Sequence, residues 1–146
     1  MQAEGMVHAL STIRKLLKPG GALIDIHPGS RPPELFVRSE SGRRFVGYLE
    51  ETDNFVEYAQ AQAALDEVVE AGTFRAVHAG EFAFVTYAET LPALQDYLAE
   101  NWKDAVLNAQ VLLEAAETFE QLGAQGIELV EQVAIARLKP GSAPAG

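Results

Sequence analysis

The chain has 146 residues, with 21 acidic and 11 basic side chains and a formal charge of −10. That balance disfavours a nucleic-acid backbone or an anionic membrane as partner, and the absence of cysteine excludes disulfides, thiol catalysis and cysteine metal sites. The hydrophobic fraction of 48% is that of an ordinary globular protein, and such a chain buries about two-thirds of its unfolded surface. A single domain over 1–139 is expected, followed by a disordered Pro/Gly/Ala-rich tail over 140–146. No signal-peptide pattern opens the chain and no apolar run approaches ~20 residues, so a cytoplasmic location is expected.

The first element is a helix. Val7, Leu10, Ile13 (or Arg14) and Leu17 recur at spacings of three and four, making one apolar face. Arg14, Lys15 and Lys18 gather in its last turn, where cations complement the helix dipole. Pro19 cannot continue the helix, and Gly20 or Gly21 supplies a left-handed stop. The run 22–26, broken only by Asp25, then reads as a strand covered on both faces, as in a parallel sheet.

A loop rich in proline follows, and 34–39 with 44–50 reads as a β-hairpin turning at Ser41-Gly42-Arg43. Asn54 and Glu57 form a capping-box pattern. It opens a helix with Tyr58, Ala61, Leu65 and Val68 on one face, stopped by Gly72. Two strands, 73–77 and 82–88, are expected with a turn at 78–81 between them. The region 90–122 is strongly helical. Division at 101–104 into two helices, with Asp104 as second cap, is favoured over one helix of ~30 residues. Gly123 and Gly126 end that region, and 127–138 is a long strand.

The run Leu16-Leu17-Lys18-Pro19-Gly20-Gly21-Ala22-Leu23-Ile24 resembles the turn that precedes the fifth strand in class I S-adenosylmethionine-dependent methyltransferases. The resemblance implies an α/β fold, the C-terminal half of a Rossmann-like methyltransferase. Its mixed sheet would carry an antiparallel last strand and packed helices, with the hairpin and the helices of 91–122 inserted as cover. Strand 22–26 would be the family's fifth, 82–88 its sixth, and 128–138 its seventh, inserted antiparallel between the other two. The family's cofactor loop, of the G-x-G-x-G kind, is absent from the sequence, and there is no room before Met6 for the family's earlier strands. No residue is therefore assigned to S-adenosylmethionine, and tight binding by this chain alone is not expected. The strand after the Lys-Pro-Gly-Gly turn would be an edge seeking a partner. A homodimer, or a complex with a chain carrying the N-terminal half, is expected, with a small-molecule ligand as a further partner. A self-associating binding or assembly module without catalysis is the alternative reading, and an unrelated α+β enzyme is the third.

Candidate catalytic residues are Asp25 and His27, at the C-terminal end of a sheet strand, where ligands bind in open α/β folds. His27 suits a general base because an ordinary imidazole titrates near neutrality; a strand-end histidine beside a proline is the plainer reading. No H-x-x-x-H or H-E-x-x-H spacing supports a metal at Asp25, His27 and His78. Arg31, Arg38, Arg43 and Arg44 form a cationic cluster that suits an anionic substrate or a solvated hairpin surface equally. Arg31, Arg38 and Tyr87 are the substrate-binding candidates. Phe82, Phe84 and Tyr87 read as core aromatics rather than as a pocket wall, Trp102 as a packing anchor or interface residue, and Asp66-Glu67 as solvated helix surface. No serine stands in a glycine elbow.

Overall fold

The computed structural model describes residues 3–51 and 54–142. Its elements are α1 (Ala3–Leu16), β1 (Leu23–Pro28), β2 (Glu34–Ser39), β3 (Gly42–Tyr48), β4 (Glu50–Glu51), α2 (Asn54–Glu70), β5 (Phe74–Ala88), α3 (Leu91–Asn101), β6 (Ala105–Val106), α4 (Ala109–Gln121) and β7 (Gly126–Pro140). The chain is thus α/β, and every strand pairing with a residue register is antiparallel. Two compact units form. One comprises Met1–Ser30, Asp53–Phe82 and Val133–Gly146, and the other Arg31–Thr52 and Ala83–Gln132.

In unit one, α1 stops where its punctuation dictates. The Leu17 N–H still reaches the Ile13 carbonyl at 3.1 Å, and beyond Pro19 the Gly21 N–H donates to the Lys18 carbonyl at 2.8 Å. Gly20 takes φ +78°, which a side chain would resist. β1 then pairs antiparallel with β7, from Leu23 opposite Leu138 to Pro28 opposite Val133. Leu23 joins Leu65, Val68, Phe74 and Leu138 in a core that also takes Val7, Leu10 and Leu17 from α1. Each large side chain buried there contributes about 1.5–3 kcal/mol.

Coverage of β1 on both faces is corrected by this arrangement. α1 and α2 pack together against the Leu23 side, while Ile24 and Ile26 are 52% and 57% exposed on the other. Among the described residues nothing covers that second face, and β1 is terminal in the sheet order. An apolar run reads alike whether one face or two are covered, so the sequence pattern could not separate the cases.

β5 corrects a second expectation. Residues 78–81 make no turn; the strand continues for 15 residues and pairs with β7. Gly126 lies against the Ala88 carbonyl, and the Gly141 N–H donates to the Thr73 carbonyl at 2.9 Å. These contacts give the pair an antiparallel sense. Pairing supplies what the composition His-Ala-Gly-Glu lacks in local strand preference. Phe82, Phe84 and Tyr87 are 40%, 51% and 64% exposed rather than core. The start of the expected tail is ordered as well: Pro140 ends β7, and residues 143–146 lie outside the described residues.

In unit two, β2 and β3 form the expected hairpin, and β2 also pairs antiparallel with β7 from Glu34 opposite Val130 to Arg38 opposite Gly126. The hairpin register shifts after Leu35, leaving Val46 as an extra residue between the pairs Leu35–Gly47 and Phe36–Phe45. Leu35, Val37, Leu94, Leu98, Ile127 and Leu129 form the centre of its core, with Trp102 packed against it. The helical region divides at the expected place, but its second cap is Asn108, whose Oδ1 accepts from the Val111 N–H at 2.9 Å. Asp104 is not that cap, because residues 105–106 run extended and pair with β4 before α4 begins. The Asn54 side chain of the expected capping box lies outside the described residues.

Candidate functional site

The alternation of β1 places Leu23, Asp25 and His27 on one face, toward α2, and Ile24 and Ile26 on the other. Asp25 and His27 are therefore neighbours two residues apart on the covered side of unit one. His27 Nδ1 lies 2.5 Å from Asp25 Oδ2, and the two side chains are 13% and 26% exposed. A carboxylate at that nitrogen fixes the orientation of the ring and leaves Nε2 for a ligand.

Both residues line an open cavity of about 570 Å³ between α2 and strands β1, β5 and β7. Its aliphatic lining is Leu65, Val69 and Leu138, and Asp66, Glu70 and Glu81 line it as well. Gln62 is tied to Asp66 by its amide, which donates to Oδ1 at 2.9 Å. Among the described residues no lysine or arginine lines the cavity. Four carboxylates, one imidazole and an aliphatic lining exclude anions and suit a neutral or cationic molecule with an apolar body. The chemistry available is proton transfer at His27 Nε2. Among the described residues, no three histidine, aspartate or glutamate side chains gather as metal ligands.

Gln62, Asp66 and Glu70 are functional candidates that sequence reasoning passed over. Their spacing of four put them on one helical stripe, but nothing local said that the stripe overlooks His27. Asp66 is indeed exposed, as expected of helix surface, and it is the wall of a cavity as well.

The substrate-binding candidates lie in unit two. Arg38 and Tyr87 meet, the guanidinium carbon standing 5.7 Å from the ring centroid. Arg31 is exposed on the segment before β2. The hairpin arginines are drawn to the buried Glu128: Arg43 Nη1 lies 3.1 Å from its Oε2 and Arg38 Nε 3.9 Å from its Oε1. Arg43 also stacks over Phe36 at 4.1 Å. Glu128 thus takes up part of the charge offered to an anionic substrate.

Another carboxylate of β7, Glu131, is held above the usual carboxylate range, first by burial and then by the charge of Glu51. The folded chain therefore binds this proton more readily than the unfolded chain. Stability from this group is full below the unfolded carboxylate range and falls as pH rises through the folded value. Glu131→Gln should raise stability at pH 7 by on the order of 0.5 kcal/mol, solvent screening keeping it below a buried-charge effect. Denaturant titrations at neutral and strongly acidic pH check this, and an equal gain at both would contradict the assignment.

A scan of protein-family models finds no match to the chain, and no curated protein or solved structure matches it. No helix among the described residues is long and apolar enough to cross a membrane.

Proposed function

We propose that this chain is the C-terminal part of an S-adenosylmethionine-dependent methyltransferase, which needs a separate cofactor-binding part to act. The observation that carries the reading is the strand after the Lys18-Pro19-Gly20-Gly21 turn, which pairs antiparallel with the last strand over Leu23–Leu138 to Pro28–Val133. The pairing of β7 with β5 as well supports it. So does the packing of α1 and α2 in one core with β1 and β7. In this reading the hairpin β2–β3 and the helices α3 and α4 are insertions. In the same reading His27, held by Asp25, takes a proton from the methyl acceptor.

The residues present do not fit the cofactor by themselves, because no glycine-rich loop of the G-x-G-x-G kind stands in the sequence. Calorimetry of this chain with S-adenosylmethionine should accordingly give no saturable heat. Tight binding by the chain alone overturns the proposal of a split cofactor site.

One observation favours a second reading, a self-associating module without catalysis: β1 is terminal in the sheet order and presents Ile24 and Ile26 to solvent. Backbone donors and acceptors left along such a strand are a template for another strand. Light scattering should give a dimer mass over a wide concentration range. A mass that stays monomeric throughout removes this reading and leaves the complex in trans.

A further inference from the structure

At the opposite end of β1 from His27, the chain builds a second groove, of about 470 Å³, around the Lys18-Pro19-Gly20-Gly21 turn. Arg14, Lys18, Arg75 and Lys139 line it, four of the 11 basic residues in a chain with 21 acidic ones. Among the described residues no carboxylate lines it, and none of the four cations is paired with one. Arg14 and Lys18 come from the end of α1 and the turn beyond it, Arg75 from the start of β5, and Lys139 from the end of β7. Like charges so gathered repel one another, and in a strongly acidic chain they produce a local field opposite to that of the whole.

Arg14 supplies the second observation. Its Nη2 donates to the Gly141 carbonyl at 2.9 Å, which anchors the guanidinium in the groove wall. Its Nε is buried and has no hydrogen-bond partner. An unsatisfied buried donor on a charged group is destabilising, so the charge of Arg14 is poorly compensated within the chain. A guanidinium flanked by ammonium groups is suited to the several acceptor oxygens of a phosphate.

We infer that this groove is a binding site for a small molecule bearing a phosphate or pyrophosphate group. The inference is independent of the methyltransferase reading, since none of its residues faces the Asp25–His27 cavity.

Titration calorimetry of the full chain with inorganic pyrophosphate at low ionic strength, where screening is weakest, should show saturable one-to-one binding. Arg75→Gln and Lys139→Gln should each weaken it about tenfold, whereas Lys103→Gln, outside the groove, should leave it unchanged. Circular dichroism shows whether each variant is folded, and the two variants sit on different strands, so misfolding of one leaves the other to decide. Absence of saturable binding overturns the inference, as does equal binding by both folded groove variants. A co-sedimentation arm with anionic phospholipid vesicles separates the sources of phosphate. No pelleting is expected from a chain of charge −10, and pelleting that needs Arg75 and Lys139 would replace the small molecule with a lipid headgroup.

Discussion

Gly141→Ala should destabilise the chain by about 3–5 kcal/mol, measured as a lower denaturant midpoint with an unchanged slope. A Cβ at this position would collide with the Gly72 carbonyl oxygen and come within 3.3 Å of the Phe74 carbonyl carbon. These neighbours are backbone atoms, so no rotamer change can relieve the clash. The segment has to move away from β5, and two bonds go with it. They are the Gly141 N–H to the Thr73 carbonyl and the Arg14 guanidinium to the Gly141 carbonyl, both 2.9 Å. Overpacking of this kind costs about 1–3 kcal/mol, and each lost bond adds about 1 kcal/mol. Ser142→Ala, one residue further on at an exposed position, is the control and should stay within about 0.5 kcal/mol of the parent. Equal stability of the two variants would show that the close approach of 141 to 72 does not exist in solution.

The second large effect is Gly47→Ala, expected to cost about 2 kcal/mol. Here the obstacle is a side chain: a Cβ would stand 2.6 Å from Val111 Cγ2 and 3.0 Å from Cγ1. Helix α4 packs on β3 at this point, and Val111 belongs to the unit-two core. Because the obstacle can be trimmed, a double-mutant cycle is decisive. Val111→Ala alone leaves a cavity, but combined with Gly47→Ala the new methyl occupies part of it. The pair should be less destabilised than the sum of the singles by about 1 kcal/mol. Full recovery is not expected, since φ at Gly47 is +157° and remains unfavourable for alanine. Strict additivity would mean that Val111 is not what makes glycine necessary.

Much of the fold was legible where the signal is local. The end of α1 is marked by Pro19 and Gly20, that of α2 by Gly72, and the division of the helical region by residues 101–104. Each acts within a few bonds of the break it makes. The turn expected at 78–81 failed because its residues prefer turns only when nothing else claims their backbone, and pairing with β7 does. Asp104 failed as a cap for a similar reason, since the chain runs extended to pair with β4 before the helix starts. The Asp25–His27 pair was readable because residues two apart in a strand share a face. Its cavity was not, because α2 contributes Asp66 and Glu70 from some forty residues away.

The amino-acid order alone therefore determines the helix, turn and strand around Lys18-Pro19-Gly20-Gly21, the excess of acidic groups, and the side of β1 on which Asp25 and His27 stand together. These follow from chain stereochemistry and from alternation, which need no third element. Only the tertiary structure decides that Ile24 and Ile26 lie bare, that Glu128 draws the hairpin arginines, and that Arg14, Lys18, Arg75 and Lys139 converge on one groove. Those outcomes depend on which segments meet across long stretches of chain, and the buried surface of the two cores selects those meetings.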